Sequence, residues 1–320
     1  GELGKSNKFV DLSKQIENKK SPISISGLTD VGMVELLSAI NQYNKKPILL
    51  ITYNEIQAKQ ILEIIENFEK EKAVLFPKKE IVTYDFVAES KDLPYERIET
   101  LNKIKDKKNL IVVTTIEALM QKLPPKEILF KNILEFKVGD IYNLDELKKT
   151  LVNLGYSRCE FIEGRGQFSV RGGIVDISIN DTLGVRIEFW GDEVDSIRSF
   201  DVESQRSTEN LQEIEIYPAT ENWKQMETES FLAYFPVKET ILFLDEPVRL
   251  QESAEIVEKE YFHSLESREE AGIEADEIPI QVEQTDHMIG KMNKYYGIAF
   301  TMLESKCGMF KVRSVYSLQV

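Results

Sequence analysis

The chain has 320 residues, a formal net charge of −15, 42% hydrophobic and 30% charged side chains, the balance of a soluble globular protein with room for two or three domains. Basic and acidic residues nearly cancel over residues 1–125 and the acidic excess falls beyond them, so no basic stripe supplies the counterion release that tight sequence-neutral DNA binding needs. There is no 18-residue apolar span or signal-peptide core, and Cys159, Cys307, His263 and His287 are too scattered for a disulfide framework or a zinc site, which points to free thiols in a reducing cytosol.

Residues 1–125 read as alternating strand and helix. Ile23 and Ile25 predict a strand, followed by Gly27-Leu28-Thr29-Asp30-Val31-Gly32-Met33-Val34 and a helix with Val31, Val34, Leu37 and Ile40 on its apolar face. Gly27 and Gly32 keep the spacing of the phosphate-binding signature G-x-x-x-x-G-K-[ST]. Its chemistry is replaced: Met33 stands where a Lys would reach the β/γ-phosphates, and Val34 where a hydroxyl would hold Mg²⁺. A thioether and an isopropyl group can neither balance phosphate charge nor bind a hard cation. On spacing alone, an ordinary glycine turn between strand and helix is the first explanation. Further along, Pro47–Thr52 is a short branched run suited to a buried parallel strand, Glu55–Phe68 has helical period, and Ala73–Phe76 is a second short strand. A helix over Arg97–Ile104, a strand over Asn109–Thr115 and a helix over Ile116–Leu123, closed by Pro124-Pro125, complete a parallel-sheet pattern.

Residues 126–218 change character. A strand (Ile133–Val138) and a helix from the N-cap Asn143 to about Leu154 precede alternating runs at 167–171, 174–178, 185–190 and 193–197, joined at Gly172-Gly173 and Gly191-Asp192. Period-2 alternation with glycine turns predicts antiparallel hairpins, hence a small inserted α+β domain. Over residues 219–320 the α/β character returns, with a strand at Thr240–Leu244 ending in Asp245-Glu246-Pro247, a long acidic helix from Arg249 to about Ala271, and strand-like runs at 297–301 and 312–315. The chain stops at Val320 without a clear terminating element, so a fragment of a longer polypeptide is expected.

One family matches these segments. Residues Gly155-Tyr156-Ser157-Arg158, Glu163–Ile177 with Arg171-Gly172-Gly173 at its centre, Val185–Arg198 and Ser204-Gln205-Arg206-Ser207 closely resemble the UvrB-like N-terminal module of bacterial transcription–repair coupling factors, as do Leu93-Pro94-Tyr95, Thr114–Met120 and Ile241–Pro247. The resemblance implies an α/β domain with a degenerate, split P-loop-NTPase-like parallel sheet, interrupted by an inserted α+β domain: 1–125 and 219–320 as its two halves, 126–218 as the insert. It also implies UvrA as the partner of the insert. Stalled RNA polymerase, DNA, ATP and Mg²⁺ would be engaged by domains beyond this chain, with intramolecular contacts to those domains, in the bacterial cytoplasm. No cofactor or metal is expected for this chain.

Residue by residue, Arg158, Arg165 and Arg171 stand out in an acidic inserted domain. Arginine's planar fork suits it to interface hot spots, and the resemblance makes Arg158 and Arg171 the first UvrA contacts, with Arg165 and the edge around Ile177 in support. Asp245-Glu246 resembles the acidic end of a Walker B motif with no metal–phosphate complex left to serve, and is read as a polar turn. Tyr84, Phe86 and Tyr95 fall where UvrB-like proteins carry a DNA-gripping aromatic hairpin, but Val87–Leu93 is too short for it, so packing is expected. The glutamates of the long helix (Glu252, Glu255, Glu258, Glu260, Glu266, Glu269, Glu270) are read as a solvated face. The leading expectation is a non-catalytic UvrA-recruiting module; an ATP-binding helicase or ATPase core and a damaged-DNA-binding module are the alternatives.

Overall fold

The computed structural model describes residues 11–12, 14, 21–80, 92–106, 109–221, 227–272, 281–303 and 314–317. Tyr84, Phe86, Cys307, the Tyr95 side chain and most of the shortened 87–93 segment lie outside that set. In chain order the first elements are β1 (Ile23–Ser26), α1 (Asp30–Asn44), β2 (Ile48–Thr52), α2 (Glu55–Phe68), β3 (Ala73–Phe76), α3 (Asp92–Asp106), β4 (Ile111–Thr115) and α4 (Ile116–Met120). Next come α5 (Lys126–Lys131), β5 (Leu134–Lys137), α6 (Leu144–Asn153), β6 (Ser157–Arg158), β7 (Gln167–Arg171), β8 (Ile174–Ser178), β9 (Leu183–Trp190), β10 (Glu193–Asp201), β11 (Ser207–Leu211) and β12 (Glu213–Ile216). The chain continues through a 3₁₀ turn (Phe231–Tyr234), β13 (Ile241–Asp245), α7 (Pro247–Glu270), α8 (Thr285–Met292), β14 (Tyr296–Thr301) and β15 (Ser314–Ser317).

These elements form two compact units: Gly1–Val87, Thr100–Leu123 and Thr228–Val320 make one, Ala88–Glu99 and Pro124–Glu227 the other. The first is built on a seven-stranded sheet of order β15-β1-β14-β13-β2-β4-β3, every pairing parallel. Parallel strands lie between helices and are buried on both faces, which explains why β2, β4 and β13 are apolar runs rather than alternations, buried along their whole length. Ile25, Ile48, Leu50, Val113, Phe243 and Ile298 from the sheet pack with Val34, Leu37 and Ile40 of α1 and Ala58, Ile61 and Ile65 of α2. The sequence expectation errs on one point of that face: Val31 is 46% exposed, and the buried stripe of α1 runs instead through Met33, Leu36 and Leu37.

The second unit carries a six-stranded sheet of order β11-β10-β9-β8-β7-β6 and a two-stranded one, β12-β5. Pairings from β7 to β11 are antiparallel, whereas β6 joins parallel to β7. Its core gathers Phe168, Val175, Ile177, Val185, Ile187 and Ile197 with Leu147 and Leu151 of α6. Asn143 starts α6 by accepting the backbone N–H groups of Asp145 and Glu146, an N-cap worth about 1 kcal/mol. Gly155 ends the segment at φ 91°, where an added Cβ would stand 2.7 Å from Thr220 Oγ1.

Two boundaries differ from expectation for physical reasons. The helix predicted to reach Leu123 stops at Met120, because the residue before a proline is steered out of the α region; the N–H groups of Lys122 and Leu123 bond instead to Gln281 O and Glu229 O. The helix predicted from Arg97 begins five residues earlier at Asp92, with Pro94 in its first turn, where its missing N–H costs nothing. Among the described residues, no helix is long and apolar enough to cross a membrane.

Candidate partner-binding surface

The segment with phosphate-loop spacing is a tight turn. Only Gly27, Leu28 and Thr29 separate β1 from α1, and Gly32 already lies in the first helical turn. Gly27 makes the turn at φ 84°. The Thr29 hydroxyl accepts the Gly32 N–H at 3.2 Å, taking one of the helix-start amides that an anion would use. Met33 and Val34 are 2% and 0% exposed and belong to the core cluster of this unit.

At the carboxyl ends of β13 and β2, the acidic pair is engaged within the chain. Asp245, 5% exposed, accepts the Thr52 hydroxyl (2.8 Å) and the Gln57 amide (3.3 Å), both at Oδ2. The same Gln57 nitrogen donates to Asp30 Oδ1 at 3.1 Å. Burial pushes the Asp245 carboxyl up to about 6. Glu246 adopts φ 54° and accepts the Met302 N–H at 2.6 Å. Beside them the Arg249 guanidinium lies 3.7 Å from the centre of the Tyr53 ring. Among the described residues, no group of three or more His, Cys, Asp or Glu side chains is arranged to hold a metal ion.

The second unit presents a different kind of surface. One face of its six-stranded sheet packs on α6; alternation sends Ser169, Arg171, Asp176, Arg186, Glu188 and Arg198 to the other face. The register joins them, with Ser169 opposite Asp176, Asp176 opposite Arg186 and Arg186 opposite Arg198. Asp176, 2% exposed, is the hub: it accepts Arg186 Nε and Nη2 at 2.8 Å each and Arg171 Nη2 at 3.1 Å. Bidentate charge-assisted bonds of this kind are short and strong, and the carboxylate beside it raises the Arg186 pKa further. Arg198 pairs with Glu188 in the next row. The Arg171 guanidinium also sits 4.8 Å from the centre of the half-exposed Phe161 ring, while the ring of Phe200 carries Arg186 in the same way.

The expected contacts are therefore placed unequally. Arg171 reaches solvent from this face, its side chain 40% exposed. Arg158 is exposed on the edge strand β6, in register with Phe168 and so on the opposite parity. Arg165 pairs with Asp181 at 2.8 Å, leaving its side chain 17% exposed. Ile177 must be corrected: β8 is an interior strand and the Ile177 side chain is 0% exposed in the core, so it cannot contact a partner. The open edge at that side is β6. Missed from the sequence were Asp176, which holds Arg171, Arg186, which shares that carboxylate, and the exposed Trp190. Strict alternation with the buried Val185, Ile187 and Phe189 was the signal that places residues 186, 188 and 190 on this face.

The family model for the UvrB interaction domain matches residues 134–222. The chain is 35% identical over 199 residues to the transcription-repair-coupling factor of Bacillus subtilis, a match covering 62% of this chain and 17% of that protein. It is 32% identical over 216 residues to that of Staphylococcus aureus, covering 67% of this chain and 18% of the relative. The chain thus spans less than a fifth of the length of the curated relatives it matches.

Proposed function

We propose that this chain, a UvrB-like module of the transcription-repair-coupling-factor kind, is a non-hydrolysing docking platform that recruits UvrA in transcription-coupled nucleotide excision repair. The observation that carries the reading is the coincidence of the matched interaction domain, residues 134–222, with a sheet face whose arginines are held in place by a buried carboxylate. Pre-oriented guanidinium groups lose little freedom on binding, the property expected of an interface anchor. Arg171 is the first contact on this reading; Arg158 contributes from the edge strand and Arg165 from the periphery.

The β1–α1 turn and the Asp245-Glu246 pair are, on the same reading, remnants of a phosphate loop and a Walker B strand end. The filled helix start and the buried Met33 and Val34 side chains support this. ATP, Mg²⁺, DNA and RNA polymerase are assigned to parts of a longer protein, which would act in the bacterial cytoplasm. The test is biolayer interferometry between this chain and purified UvrA, with the double variant Arg158→Ala, Arg171→Ala alongside. Binding by the wild-type chain and at least a tenfold loss in the variant are expected, hot-spot arginines being worth about 2 kcal/mol or more. Absence of wild-type binding refutes the recruiting role; unchanged affinity in the variant refutes the arginine assignment.

A further inference from the structure

Trp190 is 83% exposed, the largest exposed fraction among the described large hydrophobic side chains. It ends β9 and pairs with Glu193 across the two-residue turn Gly191-Asp192, where Gly191 takes φ 62°. That turn is braced on its far side: Tyr142 N–H donates to Asp192 O, Val194 N–H to Asp140 O, and Gly139 N–H to Val194 O. Ile141, 77% exposed, bridges Glu193 from this bracing segment. Residues in register across adjacent strands point to one side of a sheet. Ile141, Glu193 and Trp190 are therefore one row, on the side opposite the buried pair Val194 and Phe189.

The row stands next to Arg171. Arg171 is in register with Ile174, and Ile174 with Glu188, so Trp190 lies one step along and two strands across on the same face. Strand spacing and rise put their Cα atoms about 12 Å apart. A bare tryptophan on a fixed backbone, beside an oriented arginine, has the composition and the low ordering cost of a binding anchor; leaving its indole in water costs hydrophobic free energy that only a covered state recovers.

We infer that Trp190 is the apolar anchor of the UvrA-docking surface, entering an apolar pocket of the partner whose acidic rim meets Arg171, with Ile141 extending the contact. The assignment rests on the recruiting role above: the occupant is argued from the position of the row within the matched interaction domain and its continuity with the arginine-bearing face. Trp190→Ala removes a side chain with few intramolecular contacts and leaves the turn intact, so folding is retained. Affinity for UvrA, measured by interferometry, falls about 30-fold, the effect of a strong hot spot, and Trp190→Phe recovers most of it.

With the other tryptophan removed as Trp223→Phe, indole emission shifts to shorter wavelength and loses its iodide quenching when UvrA is added. Wild-type binding with unchanged affinity in Trp190→Ala and unaltered quenching overturns the anchor while leaving the recruiting role standing. Failure of the wild-type chain to bind UvrA overturns both. Concentration-dependent dimerisation in sedimentation, abolished by Trp190→Ala, also overturns it by assigning the row to a second copy of the chain.

Discussion

The buried Asp245 carboxyl gives a measurable pH signature. Replacing it with Asn removes the charge while an amide oxygen in the Oδ2 position still accepts the Thr52 hydroxyl and the Gln57 amide. In the folded chain the carboxyl is raised from 3.8 to about 6, chiefly by burial and despite those two donors. An acid whose pKa rises on folding holds its proton more tightly in the native state. Its contribution to stability is therefore fully present below about pH 3.8 and is lost as the pH climbs through about 6. A shift of about two units corresponds to about 3 kcal/mol, the ceiling on what ionised Asp245 costs above pH 7. Asp245→Asn is expected to exceed the wild type in stability by about 1–3 kcal/mol at pH 8, with the difference shrinking toward zero or reversing at pH 4.5. Urea unfolding of both proteins at the two pH values reads this directly, because they differ in that one titratable side chain. An equal difference at pH 4.5 and pH 8, or a wild type that is the more stable at pH 8, would refute the reasoning.

Two further expectations concern the second unit, and one the first. Asp176→Asn leaves Arg171 and Arg186 without their shared charge; thermal unfolding should show a loss of about 2–3 kcal/mol, and UvrA affinity should fall with it as Arg171 loses its orientation. Arg97 and Glu221 form an ion pair with both side chains 0% exposed. Glu221→Ala therefore takes a buried carboxylate from the Arg97 guanidinium and should cost about 3–5 kcal/mol; a loss below about 1 kcal/mol on urea unfolding would contradict it. Isothermal titration of the chain with ATP·Mg²⁺ should show no micromolar binding, and clear saturable heat would overturn the relic reading of the β1–α1 turn.

Much of the first unit was legible because apolar runs and helical period are direct consequences of burial. The bounds of α2 and β3 follow from Asn54 as a cap and from the four-residue run Ala73–Phe76. What stayed hidden was tertiary in origin. Residues Ser207–Leu211 form β11 although four of the five are exposed, so no alternation announces the strand. Helix α8 buries only Thr285, Met288, Ile289 and Met292, too short a stripe to stand out. At the surface, Arg171 was found as an isolated cation, but its buried partner Asp176 comes from the next strand, and Ile177 was misplaced because its neighbours in the sheet decide whether it lies at an edge. The strand, glycine turn and helix at residues 23–44 were legible, and Thr29, a good N-cap residue, is the local signal that the helix begins before the second glycine.

The strand order also constrains how the chain assembles. β13 and β14 lie between β1 and β2, with Ile23 paired to Ile298 and Ile48 to Ile241. Sheet neighbours thus come from opposite ends of the sequence, and their pairing requires the slow closure of very long loops. During synthesis β1 and β2 leave the ribosome well before the strands that join them, whereas most of the second unit, residues 124–227, is made as one stretch and can fold first. The interaction domain is thus the part of the chain able to reach its native form early, and the parallel sheet closes around strands that arrive late, with its apolar edges waiting for them.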